Sequence, residues 1–210
     1  VEGAVKAIAS SHGHSVPTIK PWNMELIQEK MALANTADPF AVAMDIDAAG
    51  LPFLKNMQPP AGSKTVDELK QIAAWAKKPF ILKGIMTVEG AKKALRAGAS
   101  GIVVSNHGGR VLDNCPATAE VLPAIADAVG GKLTIFVDGG IRTGMDVFKA
   151  LALGADAVLI GRPFVTMVYG GEAEGVQTYV DKLKAELAEA RAHAEPQIRM
   201  TIRHALTAGA

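Results

Sequence analysis

The sequence predicts an α/β fold of the TIM (β/α)8 barrel type, with about six of the eight βα units present in this chain. Short apolar runs of strand length alternate with longer segments of helical period, which is typical of βα units around a parallel sheet. The stretches 95–104 and 151–160 resemble each other, because both end a helix at a glycine and then enter an apolar strand. At 210 residues the chain is shorter than the roughly 250 residues of a typical complete barrel.

Six apolar runs are the predicted strands, and most of them stay apolar until their last one or two residues. Strands that are buried on both faces of a parallel sheet have this pattern. A polar residue at the carboxyl end of a barrel strand lies where such folds place their chemistry. The predicted strands span residues 16–20, 41–46, 80–83, 101–105, 134–138 and 157–160.

Segments of helical period separate these strands. Thr65 and Thr87 are suited to cap the helices that follow them, and Glu68 completes a capping-box pattern with Thr65. The stretch 51–64, rich in Pro and Gly, is predicted to be a long loop beside the active site. The predicted helices span residues 23–34, 66–76, 88–97, 118–129, 144–153 and 172–192.

These elements divide the chain into three predicted parts. Residues 1–15 form an amino-terminal segment, residues 16–193 form the partial α/β barrel, and residues 194–210 form a carboxy-terminal tail. Six strands leave two sheet edges that a closed barrel does not have. We therefore expect completion by an amino-terminal segment that precedes these residues, or association into a homo-oligomer.

The composition excludes several classes of partner. The chain has 22 basic and 21 acidic side chains, and a net charge of +1 gives no field that would attract nucleic acid or an anionic membrane. No stretch approaches the roughly 18 consecutive apolar residues of a membrane span, and the first residues lack a signal-peptide pattern. The single cysteine, Cys115, excludes an internal disulfide framework. We therefore expect a soluble protein of the reducing cytoplasm.

The most informative motif is the run IVVSNHGGR, residues 102–110, in which an apolar strand ends in polar groups. His107 and Arg110 are three residues apart on one strand-end loop, so both can face a single ligand. The imidazole of His107 can take a proton while the Arg110 guanidinium holds a carboxylate through two hydrogen bonds. The alternative is that His107 is a hydrogen-bonded structural histidine.

Two glycine motifs predict a phosphate site. FVDGGIR covers residues 136–142, and IGRP follows at residues 160–163. In α/β barrels the loops after the last two strands, together with a helix amino terminus, commonly bind phosphate. Each motif alone is also consistent with simple turn chemistry, but the two together at consecutive strand ends favour a phosphate site. Its predicted members are the backbone N–H groups of Gly139, Gly140, Gly161 and Arg162 and the side chains of Arg142 and Arg162.

Three further strand ends carry charged residues. Lys83 can neutralise negative charge on a reduced cofactor ring, although a lysine there can also simply reach solvent. Asp45 and Asp47 follow another strand, and one of these carboxylates can orient His107. Paired carboxylates also bind metal ions, but no further ligand lies at suitable spacing nearby, so we predict no metal. Lys20 ends the first strand and is expected to face the same end of the barrel, where the carboxyl ends of the strands lie.

Three sequence stretches closely resemble the flavin mononucleotide (FMN)-dependent 2-hydroxy-acid oxidases and dehydrogenases, such as glycolate oxidase and lactate oxidase. They are VSNHGGRVLD, FVDGGIRTGMDVFKALALGADAVLIGRP and ILKGIMT, and the resemblance is dense from about residue 66 to residue 187. It implies that His107 is the active-site base, that Asp47 pairs with it, and that Arg110 binds the substrate carboxylate. It also implies that Lys83 lies against the flavin and that Ser105 contacts the flavin ring.

The resemblance further implies the cofactor and the reaction. FMN would be held through its phosphate by the DGG and GR loops, which here supply Asp138, Gly140, Arg142, Gly161 and Arg162. A small (S)-2-hydroxy acid would be oxidised to the 2-oxo acid, with the C2 hydrogen passing to flavin N5 as a hydride or by a carbanion route. Oxygen or another acceptor would reoxidise the flavin.

This chain departs from the family pattern at several positions. Thr18 and Lys20 stand where the family has glutamine and tyrosine, so they take the places of a cofactor contact and a substrate contact. Asp45 stands where a threonine normally meets the flavin. The second substrate-binding arginine is replaced within residues 48–54, and the first strands of the family barrel have no counterpart.

Two other functions are compatible with the motifs. One is another FMN barrel reaction, such as an isomerase or dehydrogenase of a phosphorylated substrate, although the spacing of His107 and Arg110 argues against it. The other is an inactive partial barrel that binds only FMN or phosphate.

Overall fold

The computed structural model describes residues 2–11, 15–56, 58 and 60–194. Its strands are β1 (Thr18–Ile19), β2 (Val42–Asp45), β3 (Phe80–Ile85), β4 (Gly101–Val104), β5 (Thr134–Val137) and β6 (Ala157–Val158). Its α-helices are α1 (Glu2–Ser11), α2 (Met24–Asn35), α3 (Pro52–Lys55), α4 (Val66–Ala76), α5 (Val88–Arg96), α6 (Thr118–Val129), α7 (Gly144–Ala152) and α8 (Arg162–His193).

The strands form one parallel sheet in which each strand pairs with the next one along the chain. At least one α-helix lies between every two consecutive strands. Sequential order of βα units is the order of a TIM-type barrel, so the predicted six units are confirmed. Within the described residues, β1 and β6 each pair on one side only, which leaves two open edges.

One face of the sheet packs against the helices and forms the main core. Met44, Leu82, Ile102 and Ile135 lie in one row across four strands, because each pairs with the next in register. None of the four is more than 1% exposed. Burying one such side chain stabilises the fold by about 1.5–3 kcal/mol, so this row holds the strand register.

The opposite face carries polar residues at the carboxyl ends of the strands. Asp45 pairs with Lys83 in register, and Ser105 and Asp138 directly follow β4 and β5. Since side chains alternate across a strand, these four side chains lie on the face that points away from the helices. Parallel strands end at a common edge, so the register brings the four polar groups together.

Several of the helices begin at a threonine whose side-chain hydroxyl caps the first turn. The Thr65 hydroxyl accepts a hydrogen bond from the Glu68 N–H, and the Glu68 carboxylate accepts one from the Thr65 N–H, which confirms the predicted capping box. Thr143 and Asp146 form the same reciprocal pair at the start of α7. Such caps stabilise a helix by about 1 kcal/mol each, and they explain why these two helices begin where they do.

The structure corrects the predicted start of the last helix. We predicted residues 172–192, but α8 begins at Arg162, with Pro163 in its first turn. Proline suits a first turn because its missing N–H is not needed there. The backbone is non-helical at Gly171 and Glu172, so the predicted start coincides with a kink inside α8. Even so, none of the described helices is long and apolar enough to cross a membrane.

The amino-terminal segment and the long loop contain helices that were not predicted. The amino-terminal segment, residues 1–15, contains α1, and the loop predicted over residues 51–64 contains the short helix α3. A 3-10 turn, Ile46–Gly50, connects β2 to this loop. The predicted tail lies outside the described residues from position 195 onward.

The row of core residues gives a direct stability test. Ile102→Ala should lower the free energy of unfolding by about 2–5 kcal/mol, because the shortened side chain leaves a cavity in a packed core. Leu112 is 65% exposed, so Leu112→Ala is a matched control with an expected change within about 0.5 kcal/mol. Urea unfolding followed by circular dichroism measures both values. Equal losses in the two variants would contradict the assignment of Ile102 to the core.

Candidate active site

The carboxyl ends of β3 to β6 surround a cavity of about 210 Å³. Three sequence motifs that are far apart in the chain meet in its wall. The sequence-predicted residues that line it are Lys83, His107, Arg110, Asp138, Gly139, Gly140, Arg142, Gly161 and Arg162. Gly108, Ile141, Leu159, Ile160 and Pro163 complete the lining.

His107 lies in a tight turn directly after β4. Its backbone is left-handed, with φ of 57°, and Gly108 follows with φ of 67°. The Asn106 side chain accepts a hydrogen bond from the Gly108 N–H at 3.0 Å, and the His107 N–H donates to the Ser105 hydroxyl at 3.2 Å. A left-handed non-glycine residue is strained by about 1–2 kcal/mol, and such strain is concentrated at functional sites. The turn presents the imidazole to the cavity.

Asp47 orients the imidazole ring. The Asp47 carboxylate oxygens lie 3.2 and 3.3 Å from His107 Nδ1, and both side chains are largely buried. Burial, together with the charge of Asp45, raises the pKa of Asp47, and the opposing effects of His107 and Lys83 do not cancel this rise. An ionised carboxylate only accepts hydrogen bonds, so Nδ1 carries the hydrogen. Nε2 is therefore the ring nitrogen that can accept a proton.

Lys83 connects three strand ends through its ammonium group. Nζ donates to the Ser105 hydroxyl at 3.0 Å and lies 3.3 Å from Asp45 Oδ1 and 3.4 Å from Asp138 Oδ2. Burial alone would lower the pKa of Lys83, but the negative charges of Asp138, Asp45 and Asp47 hold it above the ordinary value. Lys83 is therefore a permanent positive charge in the cavity wall.

Asp45 and Lys20 contact each other. Lys20 Nζ donates to Asp45 Oδ2 at 2.5 Å, and Asp45 is 5% exposed. Burial would raise the pKa of Asp45, but the hydrogen bond from Lys20 and the charges of Lys83, Lys20 and His107 hold it below the ordinary value. Asp45 is therefore a buried carboxylate that stays ionised.

Five predicted residues do not line the cavity wall, namely Thr18, Lys20, Asp45, Asp47 and Ser105. Asp45, Asp47 and Ser105 contact side chains that do line it. Lys20 contacts Asp45 but does not line the cavity wall. Thr18 is exposed and pairs with Ala43, two residues before Asp45. Two residues of a strand span roughly 7 Å, so Thr18 lies below the layer in which the polar strand ends meet.

The residues of the predicted phosphate site also line the cavity. A Cβ atom at Gly140 or Gly161 would meet no other atom within 4 Å, so both backbones leave open space at their surface. The Arg142 and Arg162 side chains line the same wall. The Tyr179 hydroxyl, from α8, donates to the Arg142 backbone carbonyl at 2.8 Å and holds this loop in place. The wall combines open backbone with two guanidinium groups, which suits a phosphate.

Arg162 also reaches the histidine turn. A Cβ atom on Gly108 would lie 2.9 Å from Arg162 Nη2, which is too close for a real side chain. The left-handed backbone favours glycine at position 108, whereas the flexible Arg162 side chain could move away from a larger residue.

The charges around the cavity favour an anionic ligand. The positive groups outnumber the negative ones by two when His107 is counted as neutral. The cations are Lys20, Lys83, Arg110, Arg142 and Arg162, and the carboxylates are Asp45, Asp47 and Asp138. A phosphate monoester and a carboxylate are the kinds of group that this excess attracts.

A metal ion is a weaker interpretation of the same cluster. Asp45, Asp47 and His107 each offer a ligand atom, and these atoms lie within 4.8 Å of one another. Lys20 and Lys83 already place ammonium groups on both oxygens of Asp45. The lysines supply the positive charge that a divalent cation would supply, so the arrangement favours ion pairs.

Three structural contributors were missed by the sequence reasoning. Asn106 caps the histidine turn, and an asparagine directly after a strand is a recognisable turn signal. The Thr118 hydroxyl donates to the Asp138 backbone carbonyl at 2.7 Å, and Tyr179 holds the Arg142 loop. The last two act from distant helices, and no local pattern marks them.

The described residues form a parallel βα sheet of the TIM-barrel type, with two arginines and a histidine at the carboxyl ends of its strands in the wall of one cavity. The chain belongs to the family described as FMN-dependent dehydrogenases, which matches residues 14–194.

Individual relatives agree with this membership. The chain is 49% identical over 130 residues to a 2-hydroxyacid oxidase of Dictyostelium discoideum, an alignment that covers 62% of this chain and 34% of the relative. It is 55% identical over 109 residues to an L-lactate dehydrogenase of Vibrio parahaemolyticus, covering 52% of this chain and 29% of the relative. It is 53% identical over 108 residues to a peroxisomal (S)-2-hydroxyacid oxidase of Arabidopsis thaliana, covering 51% and 30%.

A solved structure shows the same fold. A mandelate oxidase with (S)-2-phenylpropionate superposes with a TM-score of 0.84 and 31% identity, covering 95% of this chain and 65% of that chain. The aligned part thus spans about a third of each of these sequence relatives and two thirds of the mandelate oxidase.

The close packing of Gly84 on Asp47 gives a test of the site. Gly84 interrupts the β3 register with φ of 99°, and a Cβ atom there would overlap the Asp47 side chain. Gly98 has φ of 79° but open space around it, so Gly98→Ala introduces only backbone strain of about 1–2 kcal/mol. Gly84→Ala should lower the free energy of unfolding by at least about 1 kcal/mol more.

Urea unfolding measures both losses, and ring NMR signals of His107 report whether Asp47 moves. We expect these signals to shift in Gly84→Ala and to stay in place in Gly98→Ala. Equal stability losses with unshifted signals would show that Asp47 is not held against β3.

Proposed function

We propose that this chain carries the catalytic part of an FMN-dependent enzyme that oxidises a small (S)-2-hydroxy acid to the 2-oxo acid. The observation that supports this most directly is one cavity lined by His107, Arg110 and the phosphate wall. The reaction requires a base, a carboxylate-binding group and a bound redox cofactor. The names of relatives, a 2-hydroxyacid oxidase and an L-lactate dehydrogenase, fit the same reaction class.

The residues present fit FMN. Open backbone at Gly140 and Gly161, with Arg142 and Arg162 beside it, forms a cradle of the kind that a phosphate fills. Lys83 stands on the neighbouring wall, where its charge can compensate negative charge on a bound ring. FMN, when bound, supplies the two-electron acceptor that side chains lack.

The side chains of the cavity have separate roles in this proposal. His107 Nε2 accepts the proton of the substrate hydroxyl, and Asp47 stabilises the imidazolium that results. Arg110 binds the substrate carboxylate through two hydrogen bonds. Ser105 accepts a hydrogen bond from Lys83 Nζ and, together with Asp45 and Asp138, holds the ammonium group in place.

The proposal extends to partners and location. Oxygen or another acceptor takes the electrons from the reduced cofactor. The open edges at β1 and β6 are covered in the active protein by further barrel strands or by a second copy of the chain. A reducing cytoplasm is the proposed location, since the composition offers no disulfide pair.

A visible absorption spectrum of the purified protein tests the proposed function. We expect flavin bands that bleach when one of a panel of short and aromatic (S)-2-hydroxy acids is added without oxygen. Bands that persist with every acid would favour a different FMN reaction. A protein that binds neither FMN nor free phosphate would contradict the assignment of the phosphate wall.

His107→Ala tests the base. The loss of Nε2 should lower kcat by about 10²–10⁴-fold, while the flavin bands remain, because the phosphate wall is untouched. Lys70→Met, on the exposed surface of α4, is the control and should leave kcat unchanged. Steady-state turnover at saturating substrate measures kcat for both variants. A rate within about threefold of the parent would remove His107 from the role of base.

Arg162→Met tests the phosphate wall separately from the ring site. Charge-assisted hydrogen bonds contribute about 1.5–3 kcal/mol, so the dissociation constant for FMN should rise by at least tenfold. Riboflavin has no phosphate, and its dissociation constant should be unchanged. Fluorescence titration of the apoprotein measures both. Equal weakening of the two flavins would show that the substitution disturbs the cavity as a whole.

A further inference from the structure

The carboxylate of Asp45 lies between two lysines that come from different strands. Lys20, after β1, contacts Oδ2 at 2.5 Å, and Lys83, in β3, lies 3.3 Å from Oδ1. Each oxygen therefore faces its own ammonium group. His107 Nδ1 lies farther away, 3.8 Å from Oδ1.

The surroundings require this carboxylate to be paired. Asp45 is 5% exposed, and the two lysine side chains are 29% and 19% exposed. A buried carboxylate is costly unless cations or hydrogen-bond donors compensate its charge. The parallel pairing of β1, β2 and β3 fixes the distances, since Asp45 pairs directly with Lys83 in register.

We propose that Asp45 is a positioning residue that bridges Lys20 and Lys83 and reduces the positive charge that Lys83 presents to a bound anionic ring. This rests on the proposed function, because the ring is that of FMN. Asp45 and Asp138 share one ammonium group on Lys83, while Lys20 compensates Asp45 from the other side. The Lys20–Asp45 pair thereby sets how much of the Lys83 charge is neutralised.

Removal of the Asp45 charge and removal of the Lys20 charge should therefore shift the reduction of bound FMN in opposite directions. Removal of the Asp45 charge leaves Lys83 less neutralised, which favours the reduced, more negative cofactor. Removal of the Lys20 charge leaves Asp45 to compensate Lys83 alone, which disfavours the reduced cofactor. A residue that only supports the fold would not produce shifts of opposite sign.

The test is the midpoint potential of bound FMN in Asp45→Asn, Lys20→Met and the double variant, titrated against reference dyes. We expect Asp45→Asn to make reduction about tenfold more favourable, which is about 30 mV for two electrons. Lys20→Met should shift the potential in the negative direction. The double variant should lie between the two single variants. Shifts in the same direction, or no shift in Asp45→Asn, would overturn the proposal.

A second measurement does not depend on FMN. A double-mutant cycle on urea unfolding of the apoprotein should show that Asp45 and Lys20 are coupled by at least fivefold in the unfolding equilibrium constant, because they are in direct contact and Asp45 is buried. The matched control is the exposed pair Asp67 and Lys70 on α4, for which we expect a coupling of about twofold in the unfolding equilibrium constant. Equal coupling in the two cycles would overturn the bridge.

The two measurements separate this proposal from the proposed function. A protein that binds no FMN but shows strong coupling between Asp45 and Lys20 would contradict the proposed function and support the bridge. A protein that binds and reduces FMN but shows no coupling and no opposite shifts would support the proposed function and contradict the bridge.

Discussion

The partly buried ammonium group of Lys83 makes the contacts on which the rest of the site depends. It requires compensating oxygens from several directions, and it finds them at the ends of three other strands, on Asp45, Ser105 and Asp138. Partial burial makes the loss of these contacts more costly than the loss of an exposed ion pair. The register of the sheet must therefore be kept, and the apolar row on its other face keeps it. Core packing and site geometry are in this way two consequences of one strand alignment.

The loops above the sheet are held by packing and by local strain. The 3-10 turn after β2 carries Asp47, and this turn and the loop that follows form a second small core of Ala48, Leu51, Leu54 and Ala61. Val111, next to Arg110 in the chain, packs against this core. The loop that carries His107 and the segment that carries Asp47 are thus joined by apolar contacts above the sheet. This support keeps His107 in a left-handed conformation that would relax in an isolated peptide.

Much of the fold followed from local signals. Capping residues such as Thr65 are read from neighbouring residues, and the structure confirms this cap. The six strands lie where they were predicted, but their ends differ by up to two residues, and β3 continues to Ile85. The last helix was predicted ten residues late, because the kink at Gly171 and Glu172 interrupts the helical period at the point where the helix was taken to begin. Many cavity-lining residues were predicted from their motifs, because glycines and arginines at consecutive strand ends indicate a phosphate site. The support of Asp138 by Thr118 comes from a contact over twenty positions and has no local pattern.

The sequence by itself determined the class of fold, the six βα units and the polar residues that reach the mouth, because these depend on periodicity and on short motifs. Only the tertiary structure decided which of those residues contact one another. It placed Lys20 on Asp45 and left Thr18 below the site, although both are polar residues of the same short strand region. The physical reason is that side-chain pairing depends on strand register and on the length of each side chain. Register is a property of the packed sheet as a whole and cannot be read from any one strand.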